Sequence, residues 1–277
     1  PSTSSAASDV YKRQVVSMGG TFDRLVSQGH EVHIAYQVKG NIAVSDHDAL
    51  KFIEVSKDLF KNESKVPVSE LIKELKNNKP DKIDSQAVRN LKGFIRKREA
   101  IAATRYIGIP DSNTHFLNLP FYDTGRIKKN PPTKKDVLIT ASLINKIKPH
   151  QIFAAGDLED PHGTHKVCLD IILEALETLK GEKFMKDCWL WLYRGAWLDW
   201  DIHDIDMAVP MSPAQVLRKR KAIFFHQTQK DGVMFQGQDL REFWVRAEER
   251  NSETAEKYKK MGLADYAAIE SFKRHYY

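Results

Sequence analysis

Apolar residues recur at helical spacing at Val15, Met18, Phe22, Leu25 and Val26, and Gly29 follows as a C-terminal cap. HEVHIAYQV (30–38) is apolar and β-branched and predicts a strand. DALKFIEVSKDLF and VSELIKELKNN predict two helices, the second ending at Lys79-Pro80. SQAVRNLKGFIRKREAIAATRYIGI predicts a long third one. THFLNLP reads as a short strand, and residues 121–135 as a loop with Gly and two prolines. KDVLITASLINKIKP is helical up to Pro149, and HQIFAAGD is a short buried strand.

HKVCLDIILEALETLKG carries Cys168, Ile171, Ile172, Ala175, Leu176 and Leu179 on one stripe, which predicts a helix. CWLWLYRGAW is apolar at successive positions and predicts an interior strand. SPAQVLRKRKAIFFHQTQ opens a helix with a Ser cap and Pro in the first turn. REFWVRAEERNSETAEKYKKMG and ADYAAIESFKRHYY are expected to close the chain as two more helices. Strands alternating with helices predict one α/β domain with a mostly parallel sheet and a helical C-terminal addition.

Residues 1–14 break this pattern. PSTSSAASDVYKRQ is rich in Ser and Ala, has one basic cluster and shows neither period. It is expected to be disordered. DVYKRQ resembles the translated end of a transposase-based sequencing adapter, so the segment is expected to be foreign to the gene, joined to it at Val15.

Composition narrows the function classes. The 277 residues are 42% hydrophobic and 29% charged, as in ordinary soluble domains. No apolar run is long enough to span a membrane, and no secretory signal is visible. Cys168 and Cys188 form no disulfide framework and suit a reducing cytoplasm. The net charge of +6 owes much to KELKNNKPDK and NLKGFIRKRE. These stretches read as solvated helix faces, because acids interleave with the cations and aromatics are few. No recognised motif supports nucleic-acid binding.

Candidate chemistry concentrates in AAGDLEDPHGTHKVC (154–168). A buried strand ends there, a loop carries Asp160 and His162, and a helix opens near His165. In an open α/β sheet, ligands bind at the carboxyl ends of strands. His162 and His165 are three apart and can face one pocket, where neutral imidazoles are common metal ligands. Local hydrogen bonding by both rings is the alternative. A catalytic zinc needs three protein ligands, so further ones must come from another strand end. Asp123 in LPFYDTGR follows a strand and either reaches the same rim or fixes its own turn. His226 in FFHQTQ reads as a core histidine. Arg96 and Glu99, one turn apart, read as a helix-face pair. Trp189, Trp191 and Trp197 read as core.

Taken together and in order, VVSMGGTFDRLVSQGHEVHIAYQV, LPFYDTGR, DPHGTH and FFHQTQ resemble the PIG-L (LmbE-like) family of zinc-dependent N-acetylglucosaminyl deacetylases. The similarity is greatest to the C-terminal half of long Bacteroidetes proteins described as glucosamine-6-phosphate deaminase-like, and it runs from Val15 to the C-terminus. The resemblance implies a Rossmann-like three-layer fold, an amino-sugar substrate and an upstream deaminase-like domain in the native gene. It implies that His165 is a zinc ligand and that His162 is catalytic, acting on the tetrahedral intermediate. It further implies that Asp123 and Arg96 bind substrate, and that Asp160 and His226 have supporting or structural roles.

The family opens with an apolar strand ending in His-Pro-Asp-Asp-Glu/Asp, which supplies two zinc ligands and the general base. The same columns here hold Val10, Tyr11, Lys12, Arg13 and Gln14. The expectation is therefore a deacetylase domain that lacks its first strand, binds no zinc tightly and is inactive as written. The missing strand would expose sheet edges and favour self-association. The rival expectation is a non-catalytic module binding a sugar or phosphosugar on the basic face around Lys73–Lys82.

Overall fold

The computed structural model describes residues 3–8, 13–59, 68–78, 82–125, 128–156, 163–195, 199–229 and 241–277. Among these residues, seven strands form one sheet: β1 (Thr3–Ser8), β2 (Glu31–Tyr36), β3 (Thr114–Phe116), β4 (Gln151–Ala155), β5 (Trp189–Tyr193), β6 (Met207–Met211) and β7 (Ala268–His275). Their order is β3-β2-β1-β4-β5-β7-β6. The first five are parallel, and β7 runs antiparallel between β5 and β6.

Among the described residues, eight helices accompany the sheet: α1 (Arg13–Ser27), α2 (Asp46–Leu59), α3 (Val68–Lys76), α4 (Gln86–Ile107), α5 (Lys134–Ile147), α6 (Thr164–Leu179), α7 (Pro213–Phe224) and α8 (Phe243–Lys260). Side chains alternate across each strand, so β4 buries Phe153 and Ala155 against α1, α4, α7 and α8, and Ile152 and Ala154 against α5 and α6. The result is the expected three-layer, mostly parallel α/β fold. A smaller apolar cluster ties α2 and α3 to the first half of α4. Cys168 and Cys188 form no disulfide with one another and are buried. Among the described residues, no helix is long and apolar enough to cross a membrane.

Two expectations need correction. The sheet was expected to lack its first strand, with residues 1–14 disordered. Instead Thr3–Ser8 pairs in parallel with β2 from Thr3↔Glu31 to Ser8↔Tyr36, and with β4 from Ser4↔Gln151 to Ala7↔Ala154. A parallel ladder is made by backbone N–H and C=O groups, so a short segment without proline can complete it whatever its side chains. The interior gap that would have favoured self-association is therefore filled. The strands at the two ends of the order are β3 and β6.

The second correction concerns the C-terminus. α8 is a helix as expected, but the last segment is strand β7, buried from Ala268 to Phe272. Its central charge, Glu270, is fully buried and serves a distant element. α1 breaks at Met18 (φ −140°, ψ 27°), which starts a second helical stretch and leaves amides without intrahelical partners. Glu270 accepts from the amides of Gly20 (3.0 Å) and Thr21 (2.6 Å), from the Thr21 hydroxyl (2.6 Å) and from Lys219 Nζ (2.7 Å). A carboxylate from β7 thus caps the second half of α1, where the helix dipole favours negative charge. Lys219 is also buried and donates to Asn251 Oδ1 at 2.7 Å, so α1, α7, α8 and β7 meet at one ionic knot.

Candidate active site

The strand order reverses between β1 and β4, which creates a crevice at their carboxyl ends. The segments that follow these two strands, 9–12 and 157–162, lie outside the described residues, and with them His162 and Asp160. What can be described is the frame around the crevice.

His165 lies in the first turn of α6, directly after Gly163, whose positive φ of 66° turns the chain into the helix. The imidazole is buried, and burial pushes its pKa down to about 3. It is therefore neutral at ordinary pH, the state in which imidazole ligates a metal. One turn further on, the Cys168 carbonyl accepts a 3.1 Å bond from the buried Gln37 amide, fixing α6 to the end of β2. Gln14, at the start of α1, is also buried and donates to the Ala35 carbonyl at 3.3 Å.

Asp123 follows a short 3-10 turn at Pro120–Tyr122. The loop is held from behind by buried Asp136, which accepts from the Phe121 amide (3.0 Å) and from the Thr133 amide and hydroxyl (2.8 Å each). The Asp123 carboxylate meets Lys39 Nζ at 3.3 Å and Arg89 Nε at 3.9 Å, so it does more than close its own turn. Lys129 joins from the same loop with its ammonium 3.8 Å from the Tyr122 ring centre. Burial lowers the Lys129 pKa to about 8, and Asp123 partly opposes the shift.

Arg96 lies two helical turns beyond Arg89 on α4. It is fully buried and contacts Glu99 Oε2 at 3.1 Å and Thr228 Oγ at 3.4 Å. Glu99 in turn accepts from the Thr228 amide (2.7 Å) and hydroxyl (2.9 Å). Burial raises the Glu99 pKa, with Arg96 pulling it back down. The helix-face pair read from sequence is thus real, but interior. His226 is fully buried just after α7, and it opens the turn that carries Thr228 onto Glu99, with the Gln229 amide donating to its carbonyl at 3.0 Å.

Arg89, Lys92, Arg96 and Glu99 form one polar stripe along α4. Lys92 meets Asp46 (2.6 Å) and Asp84 (2.7 Å). The structure therefore brings Asp123 together with Lys39 and Arg89, and Arg96 with Glu99 and Thr228, in two clusters linked by α4. Lys39, Arg89 and Lys129 were missed from sequence. Lys129 alone had a signal, the cationic loop 121–135 with Asp123 as its sole acid; Lys39 and Arg89 lie far from that loop in sequence. Trp191 is core as expected, but Trp189 is 43% exposed, with Arg274 stacked 3.9 Å over its ring, and Trp197 lies outside the described residues.

A zinc site needs more than one imidazole. Among the described residues, the one cluster with metal-ligand spacing is Asp201, His203 and Asp204, which does not include His165. The described donor set does not fit a catalytic zinc.

These features define a Rossmann-like α/β protein with a crevice at the strand-order reversal. The chain belongs to the PIG-L family: the profile of GlcNAc-PI de-N-acetylases matches residues 14–176. A glucosamine-6-phosphate deaminase-like protein of Bacteroides thetaiotaomicron is 49% identical over 267 residues, which is 93% of this chain and 40% of that protein. The chain thus spans about two fifths of the length of that relative.

Among solved structures, the N,N'-diacetylchitobiose deacetylase of Pyrococcus horikoshii is similar, with a TM-score of 0.62 and 16% identity over 99% of this chain and 83% of that one. A deacetylase of teicoplanin biosynthesis gives 0.56 and 14%, covering 99% of each chain. The 4-carboxy-2-hydroxymuconate hydratase of Pseudomonas putida gives 0.60 and 13%, covering 100% of this chain and 97% of that one. At these identities the likeness is one of fold, and the hydratase shows that the fold serves more than one reaction.

Proposed function

We propose that residues 15–277 are the amide-hydrolysing domain of a deacetylase acting on an N-acetylglucosamine-type sugar, and that the chain as written does not turn over. The observation that carries the reading is His165, a buried and neutral imidazole at the opening of α6 beside the strand-order reversal, within the segment matched by the family. In the reaction, water adds to the acetyl carbonyl, the C–N bond breaks, and acetate and a free sugar amine leave. His162 is assigned the donation of a proton to the departing amine. Asp123 is assigned to substrate hydroxyls and Arg96 to a support of the substrate wall. Family members draw on zinc for Lewis acidity. This chain lacks the columns for two ligands and for the base that takes the water's proton, so no step is available to it through the metal.

The test compares the chain with a variant carrying Val10→His, Tyr11→Pro, Lys12→Asp and Arg13→Asp. Zinc content is measured by mass spectrometry, and acetate release from N-acetylglucosamine and its glycosides by enzymatic assay. The expected result is neither zinc nor acetate for the chain, and both for the repaired variant. A repaired variant that retains zinc but releases no acetate from any amino-sugar amide would end the deacetylase reading. Acetate release by the unrepaired chain would end the claim of inactivity.

A further inference from the structure

β5 ends at Tyr193, and the chain continues to Arg194 beside Gly156, whose amide donates to the Tyr193 carbonyl at 2.8 Å. This corner lies at the carboxyl edge of the sheet, next to β4, one of the two strands that border the crevice. The Trp200 ring covers it. Its Nε1 donates to the Leu192 carbonyl at 3.1 Å, and its amide donates to Asp199 at 2.9 Å. Asp199 in turn accepts from the Thr254 hydroxyl at 2.8 Å, which anchors the ring to α8. A Cβ at Gly156 would fall 2.8 Å from Leu192 Cβ and 3.2 Å from Trp200 Cζ2, so the bare glycine makes room for the ring. Leu192 packs with the cluster of α5 and α6, which puts Trp200 on the same side of the sheet as the helix that carries His165.

The Arg194 guanidinium lies 4.5 Å from the centre of the Trp200 ring. An aromatic face holds it in place of an acid. Arg96, Arg218 and Arg220 each meet a carboxylate within 3.1 Å. Arg194 Nε is instead buried with no hydrogen-bond partner among the described residues. Its charge helps to hold the Asp204 carboxyl below the usual range, but Lys273 is the main cause and takes that carboxylate at 2.5 Å. Asp201, beside Asp204, is exposed, where water screens it.

We propose that Arg194 is a specificity-determining residue that binds an anionic substituent, a carboxylate or a phosphate ester, on the substrate sugar. The proposal rests on the amino-sugar reading above. A buried N–H without an acceptor is costly and rare in folded proteins, and a ligand oxygen relieves that cost. Stacking occupies the face of the guanidinium and leaves its edge for hydrogen bonds. Along that edge Nε and one Nη present parallel N–H groups, which match two oxygens of an oxyanion. A sugar hydroxyl offers one acceptor oxygen and no charge, so the residue selects for the anion.

Isothermal titration calorimetry on the full chain tests this with four probes: N-acetylglucosamine, N-acetylglucosamine 6-phosphate, N-acetylmuramic acid and inorganic phosphate. One of the two acidic sugars should bind at least about tenfold tighter than the neutral one, and which of them does so tells phosphate from carboxylate. Arg194→Gln should weaken that sugar by on the order of tenfold and leave the neutral sugar's affinity unchanged. Arg194→Lys keeps the charge but not the fork, and should recover only part of the loss. The urea midpoint of both variants should stay near that of the unaltered chain, because Arg194 Nε has no hydrogen bond to lose. A preference that survives Arg194→Gln, an equal loss for neutral and acidic sugars, a marked fall in the urea midpoint, or no binding of any probe would overturn the proposal. Equal affinity for all three sugars would overturn it too, while leaving the amino-sugar reading in place. Arg194-dependent binding of inorganic phosphate with no binding of any sugar would keep the anion site and remove the amino-sugar reading.

Discussion

The ionic knot between α1, α7 and β7 can be tested by removing its two charges singly and together. Lys219→Met takes away the ammonium and leaves the Glu270 carboxylate fully buried. Truncating one partner of a buried pair costs about 3–5 kcal/mol. Three donors still hold the carboxylate here, the Gly20 and Thr21 amides and the Thr21 hydroxyl, so the lower end, about 3 kcal/mol, is expected. Glu270→Gln leaves the ammonium buried with Asn251 Oδ1 and removes the charged cap from the second half of α1. Its cost should fall in the same range of about 3–5 kcal/mol. Burial already pushes the Lys219 pKa down and Glu270 holds it up, so the orphaned lysine should lose its proton more readily still. The double variant buries no net charge. It should be more stable than the sum of the single losses implies, by about 2–3 kcal/mol. Urea unfolding followed by tryptophan fluorescence measures all four corners of the cycle. A coupling energy below about 0.5 kcal/mol would show that the two groups act independently and would refute the argument.

Two further perturbations follow from local geometry. Gly20→Ala gains about 1 kcal/mol of helix propensity. The new methyl would, however, overlap the side chain of Met211, which is 1% exposed and has little room to yield. Overpacking of this kind costs about 1–3 kcal/mol, so a net loss of stability is expected, with partial recovery when Met211→Ala is added; no recovery would place the cost elsewhere. His115, stacked on His33 with its Nε2 3.0 Å from His33 Nδ1, has its pKa lowered by burial and then by His33 and Lys146. The unfolded chain therefore takes up a proton near pH 6.5 that the folded chain refuses, so stability is lost as pH falls below that value. His115→Gln should flatten this slope by up to about 1.4 kcal/mol per pH unit; parallel stability curves for the two proteins between pH 7 and 5 would exclude His115 as the source.

The parts legible in the sequence were those written in a local period. α1 to α8 and strands β2 to β5 each carry a cap, a stripe or an apolar run that a short window can see. β1 was invisible because TSSAAS has no apolar pattern; its place comes from the ladders on either side. β6 was unread, and MAVPM even contains a proline. β7 was taken for a helix because Glu270 looks like a surface residue until Lys219 and the α1 amides are brought to it from 51 and about 250 residues away. The site follows the same rule. Arg96 with Glu99 is local and was read from one turn of helix. The grouping of Lys39, Arg89 and Lys129 about Asp123 exists only after three elements converge.

The direction of β1 has a practical consequence. Because β1, β2 and β4 are parallel, Ser8 faces the crevice edge, and Thr3 lies at the opposite edge of the sheet. Six extended residues separate these edges by about 20 Å. A tag or linker entering at Thr3 therefore meets the sheet at the edge away from Asp123 and His165. An affinity handle at that end would leave the mouth of the crevice unobstructed, whereas one at an internal loop of the carboxyl edge would compete with whatever enters there.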